Sequence, residues 1–227
     1  MRLKSIILSF LILLLFSCGA NVIVTKQEAF PKMYNEQPLS ILVLPPLNST
    51  TSALAKEYYL TTIAEPLSQS GFYVAPIVIV NQIMKDEGID DSSEFLSLDP
   101  AIFNQYFGSD AILFTDIVQW DTNYSVIAGS VTVQISFLLK SSYTGEILWS
   151  YNEAVTVDTS GDNNVGGGVG LLLALVETAV KTAVQDYIPI AKQVNNIAIS
   201  TVPLGQYHPR HNADQEDSGV NKNKISK

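Results

Sequence analysis

The 227-residue chain sets 13 Lys and Arg against 22 Asp and Glu, a formal net charge of −9, and 47% of it is hydrophobic. That acidic balance argues against nucleic acid, whose phosphates select basic surfaces, and against a polybasic grip on anionic lipid. Cys18 is the single cysteine, which excludes an internal disulfide in an exported protein.

Arg2 and Lys4 head an apolar run from Ile6 to Phe16, broken only by Ser9, and small residues follow at 17 to 20. This is the layout of a secretory signal peptide. A membrane-spanning helix needs about 18–20 apolar residues, so the run is short for an anchor. Its end, Leu15-Phe16-Ser17-Cys18, resembles the bacterial lipobox. The resemblance implies cleavage between Ser17 and Cys18, a diacylglyceryl thioether on Cys18 and an acylated new amino terminus. Phe16 departs from the small or aliphatic residue the lipobox prefers. Gly19 stands where an Asp would retain such a protein at the inner membrane, which points to the outer membrane. Two or more acyl chains hold a protein stably on a bilayer, at about 0.8 kcal/mol per buried methylene. Loss of the signal also removes Arg2 and Lys4, so the mature chain is more acidic by two charges.

Residues 18–38, with Pro31 and Pro38 and little apolar periodicity, read as a lipidated tether reaching roughly 65 Å at about 3.3 Å per residue. A short strand at Val22-Ile23-Val24 is its one element. The run Ser40 to Leu44, ended by Pro45 and Pro46, predicts a strand buried on both faces. Leu54, Tyr58, Ile63 and Leu67 mark a helix that Pro66 kinks or shortens and Gly71 ends. Phe72 to Val80 predicts a second strand interrupted by Pro76, and Lys85 to Ser93 a polar stretch. Asp99-Pro100 opens a short helix faced by Ile102, Phe103, Tyr106 and Phe107 and stopped by Gly108. Asp110 to Thr115 is a third strand.

Val131, Val133, Ile135, Phe137 and Leu139 then alternate with Thr132, Gln134, Ser136, Leu138 and Lys140, the period of a strand with one buried face. Thr144-Gly145 turns it into a second strand, Glu146 to Tyr151. Leu172, Val176, Val180, Val184 and Ile188 line a long helix that Pro189 bends or ends. The expected fold class is therefore α/β: a mixed β-sheet with a β-α-β-α-β start, an antiparallel hairpin and a long C-terminal helix. The expected domains are a signal peptide at 1–17, the lipidated tether at 18–38, a single α/β domain at 39–204 and a disordered polar tail at 205–227.

No catalytic constellation stands out. His208 and His211 flank Pro209 and lack third and fourth metal ligands, so they read as solvated tail residues. Gly166-Gly167-Gly168 precedes Leu171 and Leu172 instead of the Lys-Ser/Thr pair of a phosphate loop. Asp110, Asp116 and Asp121 show no reason to converge. No cofactor and no metal is expected. The alternating strand is also about as long as a membrane-barrel strand. The hairpin at 126–157 therefore carries an alternative reading, insertion into a membrane as part of an oligomeric ring.

The stretches Ile41 to Ser49, Gly71 to Ile77, Phe107 to Leu113, Thr144 to Trp149 and Gly205-Gln206-Tyr207-His208-Pro209 resemble, in order, an uncharacterised bacterial lipoprotein family, a domain of unknown function. That family is similar to the amino-terminal domain of TolB and to CsgG-type curli-secretion lipoproteins. The resemblance implies an α/β fold like the TolB amino-terminal domain and a part in envelope assembly or export, with no catalytic residue to carry over. The expected partners are the lipid bilayer, through acylated Cys18, and other envelope lipoproteins of the CsgG type. A homo-oligomer stays open. The expected function is a non-enzymatic, membrane-anchored periplasmic lipoprotein, an accessory subunit of an envelope assembly or secretion complex. The alternatives are the pore and a small-ligand binder.

Overall fold

In the computed structural model, which describes residues 22–89, 91–124, 129–158, 187–221 and 225, the folded body starts inside the expected tether. Ile23–Thr25 is a strand (β1), Lys26–Ala29 a short helix (α1) and Pro31–Glu36 another (α2). The tether at 18–38 is thus corrected from residue 23 onward. The reason is local. Pro31 sits in the first turn of α2, where its missing N–H costs nothing. Phe30 and Met33, three apart, are both buried in the main core.

Ser40–Val43 (β2) is buried on both faces, as its unbroken apolar run requires. Ile41 and Val43 enter one core and Leu42 with Leu44 a second. Leu47–Asn48 (β3) follows, then helices Ala55–Thr62 (α3) and Ala64–Gln69 (α4). The break before Ala64 leaves Pro66 in the first turn of α4, the shortening its ring demands. The predicted strand at 72–80 is corrected. Only Tyr73–Val74 (β4) is strand, and Ile77–Asp86 is a helix (α5). Its buried residues, Ile77, Val80 and Met84, follow helical spacing. Ala101–Phe107 (α6) ends at Gly108, whose φ of 65° takes the left-handed conformation.

Ala111–Tyr124 (β5), Gly129–Ser141 (β6) and Ile147–Asp158 (β7) form an antiparallel meander. The third strand was expected to end at Thr115 and runs nine residues further, to Tyr124. A bulge between Ile117 and Gln119 shifts its alternation, so Ile117 and Trp120 both reach the main core while Val118 stays exposed. The sheet order is β4-β2-β5-β6-β7, with β3 also parallel to β5. β4, β2 and β5 are parallel to one another. The result is the expected mixed sheet.

The C-terminal helix is Ile188–Ser200 (α7), with Pro189 in its first turn. Pro189 thus stands at the start of a helix, and the helix expected over 172–188 lies outside the described residues apart from its last two positions. α7, α3 and α4 cover the main-core face of the sheet. Trp149 is fully buried there, among Phe137 and Tyr151, and its indole N–H donates to Thr201 Oγ1 at 3.0 Å. α5 and α6 cover the other face at the β2 end only.

Residues 205–221, expected to be disordered, are ordered. Ser218–Asn221 (β8) pairs antiparallel with β1, and Val220 joins the main core opposite Val24. The polar composition that suggested disorder is held by backbone pairing and by one buried carboxylate, Asp214.

Candidate functional site

The two ends of the described chain meet in a seam. Thr25 and Glu28 close a capping box: Thr25 Oγ1 accepts from Glu28 N, and Glu28 Oε2 accepts from Thr25 N, both at 3.2 Å. That turn directs Lys26 inward. Its Nζ donates to Val202 O at 2.8 Å and to Asp214 Oδ2 at 3.3 Å. Asp214 is fully buried and also accepts from Leu204 N at 3.0 Å. Burial first, then the charge of Asp214, pushes the neighbouring Tyr34 phenol well above its ordinary range. The backbone N–H groups of Lys26 and Gln27 donate to the carbonyls of Asp217 and Gln215 at 3.0 and 3.1 Å. Nothing in the local sequence pattern links Lys26 to an acid 188 positions away, so sequence reasoning missed this pair.

The seam continues through Gly205-Gln206-Tyr207-His208. Gly205 N donates to Ser70 O at 2.8 Å and Tyr207 N to Gly71 O at 3.1 Å. A Cβ on Gly205 would stand 2.3 Å from Gly71 O, so this backbone approach requires glycine. His211 Nδ1 lies 2.9 Å from Leu204 O, and His208 Nδ1 accepts from Arg210 N at 3.0 Å. Both rings are oriented by nearby backbone, so they belong to the ordered seam and not to a solvated tail. Among the described residues no three His, Cys, Asp or Glu side chains gather as metal ligands. A shallow depression of roughly 210 Å³, including open solvent, lies between Met33, Tyr34, Phe72, Leu204 and His211.

Several of the residues singled out in the sequence cannot be placed. Ser17 and Cys18 lie outside the described residues, as do Gly166 to Gly168 and the side chain of Asp121. Asp116 Oδ1 accepts from Ser49 Oγ at 2.9 Å. Asp110 is a structural hub: its Oδ2 accepts from Leu39 N, Ser40 N and Ser40 Oγ, each at 3.0 Å, and its Oδ1 from the Tyr143 hydroxyl at 2.6 Å.

A second surface is the outer part of the meander. Among the described residues no strand other than β6 pairs with β7; α2 packs against β7, and Ala154 and Thr156 are exposed. The sheet face turned away from α7 is polar there. Thr132 and Thr156 hydroxyls lie 2.9 Å apart, and Gln134 Nε2 donates to Asn152 Oδ1 at 2.7 Å. Exposed edge strands template pairing with another chain. Near the opposite edge, α5 exposes Val78 (82%), Ile79 and Ile83. The apolar positions of β6, Val131 to Leu139, are by contrast 0–1% exposed beneath the helices. Among the described residues no helix is long and apolar enough to cross a membrane.

These features define a mixed α/β domain in which the two ends of the described chain are stitched together. Residues 29–207 match the family described as "Putative lipoprotein GNA1162-like", and the chain belongs to that family. It is 30% identical over 162 residues to the "Putative lipoprotein NMB1124/NMB1162" of Neisseria meningitidis serogroup B, covering 71% of this chain and 73% of that one. The crystal structure of lipoprotein GNA1162 from Neisseria meningitidis superposes with a TM-score of 0.51 at 30% identity, covering 64% of this chain and all of that one. The LpoB C-terminal domain from Salmonella enterica is similar at 20% identity and a TM-score of 0.35, over 58% of this chain and 95% of that one, too distant to carry argument. Both β1 and β8 lie outside the family-matched residues.

Proposed function

We propose that this lipoprotein is acylated at Cys18, sits on the periplasmic face of the outer membrane and serves as a non-enzymatic accessory subunit of an envelope assembly or secretion complex. Its partners would be other envelope lipoproteins, the CsgG type among them. The observation that supports this reading best is the far part of β7, where Ala154 and Thr156 are exposed and no strand other than β6 pairs with it among the described residues. Backbone groups along such an edge give affinity to an added strand, and alternate side chains give specificity. The pore alternative asks the 126–157 hairpin to present its apolar face to lipid. In this fold that face is the main core, and α3 and α7 would have to leave it.

Photo-crosslinking in living cells tests the reading. A crosslinker at Ala154 or Thr156, both exposed on β7, is compared with one at Glu57 on α3. Adducts to another envelope protein from the β7 positions, with none from Glu57, are expected. Adducts only to a second copy of the chain would replace the accessory reading with a homo-oligomer. Background labelling at all three positions would contradict it.

A further inference from the structure

We propose that the exposed face of α5 docks a second copy of this chain, the two α5 helices packing antiparallel across a two-fold axis near Gln82. The inference is separate from the β7 reading above and uses a different face of the molecule.

α5 turns Val80 and Met84 into the smaller core. Its outward face carries Ile79, Gln82, Ile83 and Asp86, spaced i, i+3, i+4 and i+7 and all exposed, with Val78 on the flank. Val78 is 82% exposed, more than any other large apolar side chain among the described residues, and Ile79 is 59% exposed. Ile79 and Ile83 are neighbours on the helix surface at i and i+4. Clustered apolar exposure of this kind marks an interaction site.

Charge selects what covers it. No Asp, Glu, Lys or Arg occurs from Pro66 to Met84, and Lys85, Asp86 and Glu87 then follow in a row. The two acids stand at the C-terminal end of α5, the negative end of its dipole, where they are unfavourable. The positive end is bare: Pro76 at the N-cap makes no side-chain hydrogen bond, and the first turn holds no acid. An antiparallel second copy satisfies both ends at once. With the axis near Gln82, residue 79 of one helix lies beside residue 86 of the other. Asp86 and Glu87 then approach a positive helix end and uncharged chain, and the isoleucines pack between the two helices. One patch serves on both copies, as a two-fold interface requires. Gln82 Nε2 donates to Asp86 Oδ1 at 2.7 Å, which holds the carboxylate along the face. A parallel pair would instead set the acids of both copies side by side. A contact built on one ten-residue helix falls in the small, weak class of interface, below about 1,200 Å² in total, so a covalent trap suits it.

The test traps the full-length chain in living cells. Gln82→Cys places a thiol beside the axis, where it meets its own copy; a thiol far from the axis has no partner within disulfide reach. After mild oxidation, disulfide-linked dimer is expected from Gln82→Cys well above wild type, whose one cysteine is Cys18, and above Glu57→Cys on the exposed side of α3. Mass spectrometry of the dimer should show residue 82 joined to residue 82. Two second-site changes separate docking from folding. Val78→Asp puts an acid in the first turn of α5 and Asp86→Lys a cation in its last, and both favour the helix itself. Each should nevertheless cut the dimer yield about tenfold or more, because each sets like charges against each other across the axis. No dimer above the wild-type and Glu57→Cys background, or a dimer that survives Val78→Asp, would overturn the proposal. A photo-crosslinker at Ile83 that joins α5 to a different protein and to no second copy would overturn it as well.

Discussion

Asp110 is the carboxylate that ties three elements of the fold together. It draws together the start of β2, the start of β5 and the β6–β7 turn by accepting four hydrogen bonds, and its own N–H donates to Ser40 Oγ at 2.9 Å. Burial pushes the Asp110 carboxyl up, but the bonds from Tyr143, Ser40 and the Leu39 and Ser40 backbone outweigh it and hold the group below its ordinary 3.8. A depressed carboxyl contributes stability that is present above the unfolded value and is lost as pH falls through the folded one. Asp110→Ala should therefore cost about 1–3 kcal/mol near neutral pH, since it strands donors at three elements. The variant should also lose less stability than wild type when melts are carried below pH 3.8. Parallel acid-side losses in the two proteins would show that Asp110 does not carry this linkage.

At the scale of elements, the seam joins segments that sequence reasoning placed apart. Lys26 and Asp214 are the interior of that joint, and removing one partner leaves a buried charge. Asp214→Ala should cost about 3–5 kcal/mol in denaturant unfolding, and Lys26→Met with Asp214→Leu together should cost less than the two single changes summed. Strict additivity would mean that the two groups do not interact. What was legible in the sequence follows periodicity. β6 shows its buried face in five alternating residues, and β2 shows two buried faces in one unbroken run. α5 misled because Phe72 to Val80 is short, apolar and β-branched, and a strand and a buried helix share that signature. Pro31, read in the sequence as part of a tether, and Pro189 both stand in first turns of helices, where the ring is tolerated. The seam was illegible because its partners are separated by most of the chain. Polar composition at 205–221 gave no sign that one buried acid and four strand residues would order it.

At the scale of the whole molecule, the proposed anchor at Cys18, the seam and the proposed β7 edge have separate parts. The seam brings the body up to within a few residues of Cys18, and the meander carries its open edge at the far side of the sheet from β4. A domain seated close to a bilayer searches for partners in two dimensions and presents the same edge each time, whereas a 20-residue tether would let it tumble. The central claim is that the chain works from an acylated Cys18. The most direct measurement is the mass of the amino-terminal peptide of the mature protein extracted from envelopes. The account predicts a chain that begins at Cys18 and carries both the diacylglyceryl thioether and the amide-linked acyl chain, despite Phe16 in the cleavage motif. A mature terminus at any other residue, or Cys18 recovered as a free thiol, would contradict it.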